Sequence, residues 1–244
     1  MGAEADGWRR NAPASSSQVK HSNVDFSPLV LSLKVAAIAT LFSLLIALVC
    51  AWALSALNFR GKELLDAAIT LPLVLPPTVL GYYLLIALGR ESWLGAFWEH
   101  VTGSPLVFTP KAAVIAAIIH SAPLLTKYLR AAIESVDPIY IKAARSLGIP
   151  DWNIYWHVVL PLCRRAIAAS AVLAFARSLG EFGITIMIAG NIPGKTQTVS
   201  VAIYDAVESG NASLARTLVL IVSAIGFAVV WLANRTNPSP ALRS

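Results

Sequence analysis

Apolar residues gather in five long runs along this chain, at residues 35–57, 67–88, 112–126, 166–189 and 217–233, with polar stretches between them. A helix rises about 1.5 Å per residue, so crossing about 30 Å of hydrocarbon takes about 20 residues. The first, second and fourth runs meet that length. The third is short, but Pro110 suits the first position of a helix, and Lys111 and Lys127 can carry their ammonium groups to the two interfaces. Its end is left open by several residues, and Pro123 predicts a kink. The pattern predicts an all-α, polytopic membrane bundle of five transmembrane helices.

Composition removes the soluble alternative. Hydrophobic residues make up 57% of the chain and charged residues 13%, whereas soluble domains carry about 25% charged residues. Residues 1–27 are polar, include Ser15-Ser16-Ser17, and read as a flexible extension. The Arg9-Arg10 pair resembles an export signal only superficially, and the first apolar run is too long for a signal-peptide core. The membrane domain is placed at 28–235, with a short tail at 236–244.

Charge sets the expected orientation. Segments 58–66, 127–165 and 234–244 carry ten Lys/Arg against five acids, while 1–27, 89–111 and 190–216 carry seven of each. Basic loops stay cytoplasmic, which predicts an outside N-terminus and a cytoplasmic C-terminus. The net charge of +6 then reflects topology, and no basic stripe interleaved with aromatics points to nucleic acid.

The longest cytosolic segment holds the most specific signal, at 137–161. Asp137 suits a helix cap and Pro138 the first helical position, predicting a helix through Leu147. Gly148 can close it in the left-handed conformation, and Pro150 stops it. Asp151 is expected to cap a second short helix, 152–159, ending near Pro161. Ala143 and Ala144 would present a small, flat surface to another protein. The sequence Lys142-Ala143-Ala144, three residues, Gly148, nine residues, then Val158-Val159-Leu160-Pro161 closely resembles the loop signature of ABC importer permeases. Lys142 departs from it, standing where the family usually has an acid.

The resemblance extends over 27–233, through 71–82, 175–183, 192–198 and 202–204, and is strongest to molybdate permeases, with sulfate and thiosulfate permeases as relatives. It implies a type I importer permease fold in a bacterial inner membrane. It also implies a homodimer, two ATP-binding subunits on the cytosolic loops, and a periplasmic oxyanion-binding protein outside. Lys142, Ala143, Ala144, Gly148, Leu160 and Pro161 would form the ATPase-coupling loop. The expected cargo is molybdate, with sulfate, thiosulfate or tungstate as alternatives.

Candidate pore and gate residues follow from the cost of polarity in lipid. Arg177 and Glu181 fall near the middle of the fourth run, where a lone charge costs about 2.5–3.5 kcal/mol. Four residues apart, they could pair with each other, or Arg177 could face a passing dianion. Gly180 and Gly183, on either side of Glu181 and Phe182, allow bending or close approach. Pro72, Pro76 and Pro77 are expected to break the second run, with Thr78 lining a kink or hinge.

Other chemistry finds little support. His21, His100, His120 and His157 are scattered, and Cys50 and Cys163 read as packing residues, so neither a metal site nor a cofactor is expected. No clustered nucleophile and base suggest an enzyme, and no inverted repeat or second span with central charges supports an ion-coupled carrier. Residues 189–196 fit a relaxed phosphate-loop pattern, but they follow a membrane helix on the outer face, not a strand. Asn211-Ala212-Ser213 is a glycosylation sequon by pattern only.

Overall fold

The computed structural model describes residues 25–57 and 60–236, so most of the polar extension and of the tail lies outside the described residues. All regular structure among the described residues is helical. Helix α1 spans Ser27–Ala56, α5 Pro110–Glu134 and α12 Ala212–Thr236, and each is long and apolar enough to cross a membrane. Two bent helix pairs are also apolar and long enough together, each as a broken span or a re-entrant loop. Helices α2 (Lys62–Val74) and α3 (Pro77–Leu88) meet at 113°. The segment Asp151–Leu162 meets α9 (Arg164–Leu179) at 74°.

The centre is α5, which packs against α1, α2, α9 and α10 (Gly183–Ile188). Lipid-exposed helices gain nothing from burying apolar surface against each other, so close approach must come from small residues and polar contacts. Helix α1 supplies them at Ala36, Ala39, Ser43, Ala47 and Ala51, all buried and three or four residues apart. Ala112, Ala113, Ala116 and Ala117 of α5 are fully buried in the same core. At mid-seam the Ser43 and Ser121 hydroxyls lie 2.8 Å apart. Because Ser121 already donates to the Ala117 carbonyl at 2.6 Å, Ser43 is the donor between them.

Several expected boundaries shift. Helix α5 does not end near Thr126 but continues two turns to Glu134, and Pro123 lies inside it. Lys127 therefore does not mark a helix end: it pairs with Asp66 of α2, which also takes Arg130 at 3.1 Å. Arg130 bonds Glu134 at 2.7 Å in turn, and this network fastens α2 to α5. Pro72 sits within α2 and does not break it; the break falls at Leu75-Pro76. The fourth run is not one helix either, because α9 stops at Leu179 and α10 starts at Gly183. Two short helices, α4 (Trp93–Thr102) and α11 (Val199–Glu208), had no counterpart in the apolar runs.

Candidate functional site

The loop at 137–161 folds as a compact unit. Asp137 caps α6 (Pro138–Ser146) by accepting from the Ile139 N–H at 2.9 Å, as its sequence suggests. Gly148 has φ +74° and reverses the chain. The return begins with α7 (Asp151–Ile154), widens into a π-helical turn at Tyr155–Val159, and finishes with α8 (Leu160–Leu162). It thus ends at Leu162, near Pro161 as expected. Asp151 is a helical residue and not a cap; its carboxylate takes the Arg145 Nε at 2.8 Å, clasping the two arms.

Ala144 is buried with Ile154, Tyr155, Val159 and Cys163 in the loop's own core. It holds α6 onto the return arm and does not share the outward surface expected for it. Ala143 faces outward, with Ile139 and Tyr140 exposed on the same short helix and Leu147 exposed at its C-cap. Lys142 and Gly148 are exposed, as is Pro161, while Leu160 is half-buried.

Aromatic residues that the sequence reading passed over fasten this unit to α1. Trp52 meets Trp152 edge-on at 5.1 Å and lies 5.9 Å from Tyr155. The Tyr155 hydroxyl donates to the Leu48 carbonyl at 2.9 Å. Edge-on ring contacts and one anchoring hydroxyl thus join the loop to α1. The spacing of Trp52, Trp152 and Trp156 near an interface was the signal available.

The candidate pore residues meet where two helix breaks adjoin. A Cβ added at Gly183 would lie 2.6 Å from the Pro77 Cβ, and one at Gly81 would lie 2.8 Å from the Met187 Cβ. Only glycine lets α3 and α10 approach this closely. Pro76, Pro77, Thr78 and Gly180 are exposed beside this contact, and the Phe182 ring lies 5.2 Å from Tyr204.

Arg177 and Glu181 form no ion pair, contrary to the pairing their spacing allows. Glu181 is buried, and its carboxylate accepts the N–H groups of Ile184 and Thr185, each at 2.9 Å, together with the Thr185 hydroxyl. It caps α10. Arg177 instead donates from Nε to the His120 carbonyl at 3.3 Å, across to α5. His120, set aside as scattered, sits within electrostatic reach of both charges.

At the end of the bundle opposite the 137–161 loop, Arg90, Ser92, Phe108, Thr109 and Lys195 line a cavity of about 1040 Å³. The loop that resembles a phosphate cradle is closed to that use. The N–H groups of Lys195, Thr196 and Gln197 all converge on the Ile192 carbonyl at 2.9–3.1 Å, leaving none of the three for phosphate. Asn211 accepts from the Leu214 N–H at 3.2 Å, so the sequon serves as the cap of α12. No group of three or more potential metal ligands occurs among the described residues.

A central long helix between bent spans, with a packed helical hairpin projecting on the basic side, defines a type I ABC importer permease. The chain belongs to the family described as binding-protein-dependent transport system inner membrane component, whose model matches residues 36–240. It is 40% identical to the molybdenum transport system permease protein ModB of Escherichia coli (strain K12), over 86% of this chain and 94% of that protein. A probable sulfate transport system permease protein, cysT, of Chlorokybus atmophyticus is 34% identical over 84% of this chain and 73% of that protein. Among solved structures, a bacterial ABC transporter involved in alginate import matches with TM-score 0.72 at 14% identity, over 91% of this chain and 81% of that one. The MetNI methionine ABC transporter, inward facing, matches with TM-score 0.68 at 16% identity, over 86% of this chain and 92% of that one. At such identities these two establish the fold alone.

Proposed function

We propose that this chain is the non-catalytic translocation subunit of an ATP-driven importer whose cargo is molybdate. The single observation that carries the cargo is the 40% identity to a molybdenum permease across 94% of its length. The sulfate relative is less similar and less fully covered, so sulfate is the runner-up, with tungstate a chemical mimic of molybdate. Two copies would enclose one path. Two ATP-binding subunits would dock on the loops at 137–161, and an oxyanion-binding protein on the opposite face.

The form of the loop supports the coupling role. Its outward stripe of Ile139, Tyr140, Ala143 and Leu147 is apolar yet exposed, which suits burial in a partner's cleft. Behind that stripe the Ala144 core and the aromatic joint make a stiff lever. Closure of the ATP-binding subunits would draw the levers together and rock the two copies between outward- and inward-facing states.

The test is reconstitution of the complete assembly in proteoliposomes. ATP-dependent molybdate uptake is expected only with both ATP-binding subunits and the loaded binding protein present, and excess sulfate should compete weakly. Uptake by this chain alone, driven by an ion gradient, would overturn the importer reading. Preferential sulfate uptake would replace the cargo.

A further inference from the structure

We infer that Arg177 is the residue that meets the anion inside the membrane, left without an acidic partner because Glu181 is committed to capping α10. This deepens the importer reading and rests on it.

Depth comes first. Thirteen residues separate Arg177 from the cytosolic start of α9, about 20 Å of helix. His120 lies ten residues below the outer start of α5, about 15 Å. Their contact at 3.3 Å therefore falls in the middle of a layer about 30 Å thick.

Charge comes second. The Glu181 carboxylate already receives two backbone N–H groups and one hydroxyl. Its negative charge is spread over donors of α10, and it does not reach the guanidinium. Arg177 keeps one carbonyl contact through Nε and has no acidic partner among the described residues. An uncompensated charge at this depth is costly unless it faces a polar cavity or receives a counter-ion.

The surroundings supply the polar path. Pro76 and Pro77 lack N–H groups, so the carbonyls one turn earlier lose their donors. The α3 break they create lies against the α9–α10 break through the Pro77–Gly183 contact. Irregular backbone at membrane depth is tolerated only against protein or a water-filled cavity. Two breaks side by side, with Thr78 and Gly180 exposed at them, mark the wall of such a cavity. The hydroxyls of Ser178 and Thr198 are buried nearby without partners, and the Ser200 hydroxyl bonded to the Leu179 carbonyl at 3.2 Å brings the Thr198 segment to the end of α9. A tetrahedral dianion is the chemistry that this cationic, donor-rich break would receive.

The experiment compares Arg177→Gln and Arg177→Lys in the reconstituted complex. Gln keeps an N–H donor for the His120 carbonyl and removes the charge; Lys keeps the charge. Uptake of molybdate, tungstate and sulfate is measured per assembled complex, together with binding-protein-stimulated ATP hydrolysis and thermal stability. Arg177→Gln should lose at least about tenfold in uptake with hydrolysis and melting temperature retained, and Arg177→Lys should keep most of it. Wild-type uptake by Arg177→Gln, or a lowered melting temperature with normal uptake per complex, assigns Arg177 a structural role and overturns the inference. If the wild type carries sulfate and not molybdate, the cargo reading fails while the Arg177 comparison is still read on sulfate. No uptake of any of the three by the wild type overturns both.

Discussion

At the scale of single residues, three glycines separate two physical roles. Gly148 sits at φ +74° with nothing within 4 Å of an added Cβ. A side chain there meets no neighbour, only the backbone penalty of about 1–2 kcal/mol, larger for a β-branched residue. Gly148→Val should therefore loosen the coupling turn and reduce uptake per ATP hydrolysed while leaving membrane insertion normal. Gly148→Asn, which tolerates this conformation, should stay near wild type. Gly81 and Gly183 face the opposite constraint: their neighbours are too close for a Cβ. Gly183→Ala should force α10 away from α3, at about 1–3 kcal/mol for overpacking, read as a lower melting temperature of the purified complex. Gly148 was legible in the sequence because the cap at Asp137 and the stop at Pro150 are local. Gly183 was legible only as a permissive residue, since the Pro77 that presses on it lies a hundred positions earlier. The Arg177–Glu181 pairing failed for a related reason. Spacing of four implies contact only if the helix is continuous, and the break at 180–182 turns Glu181 toward the N–H groups of the next helix.

At the scale of elements, hydropathy located the long apolar helices and the bent pairs but not their shape. The pair Pro76-Pro77 bends the second apolar run by 113°, whereas Pro72 is absorbed inside α2. Apolar length cannot distinguish the two cases. Helices α4 and α11 escaped notice because ten residues each are too short to stand out as spans. The α1–α5 seam was readable in principle: Ala36, Ala39, Ser43, Ala47 and Ala51 form a small-residue repeat that lets backbones approach. Its partner on α5 was not, because alanines there lie on more than one face. The seam yields a graded prediction. Ser43→Ala removes one interhelical hydrogen bond, about 0.6 kcal/mol in membrane proteins, and should barely change the yield of folded complex. Ala116→Leu inserts a branched side chain where the native one is fully buried and should reduce that yield strongly. Equal yields from the two variants would mean that α1 and α5 do not pack through this seam.

At the scale of the whole molecule, burial and charge together set how the bundle sits in a membrane. In its most apolar 18-residue window α5 is 56% buried and α12 only 11%, so α5 forms the interior and α12 the edge. Phe227, Val230 and Leu232 of α12 are exposed, as are Leu41 and Val49 of α1, a surface suited to lipid or to a second copy. Polar contacts cluster at the two ends. The Asp66–Lys127–Arg130–Glu134 network and the Arg145–Asp151 pair mark one end. Arg90–Glu99 and the Asn191–Asp205 bond at 2.9 Å mark the other. The first end carries the basic excess, and such loops resist translocation. With Cys50 and Cys163 replaced, a cysteine at Ser146 should react with a membrane-impermeant maleimide only after permeabilisation. One at Ser209, exposed just past α11, should react in intact spheroplasts. The two sites lie on opposite sides only if an odd number of crossings separates them. That requires the Asp151–Leu162 arm to lie along the cytosolic surface and α9 with α10 to make a single passage. Labelling of both sites from one side would mean that the break at 180–182 turns the chain back, making it a re-entrant loop instead of part of a crossing helix.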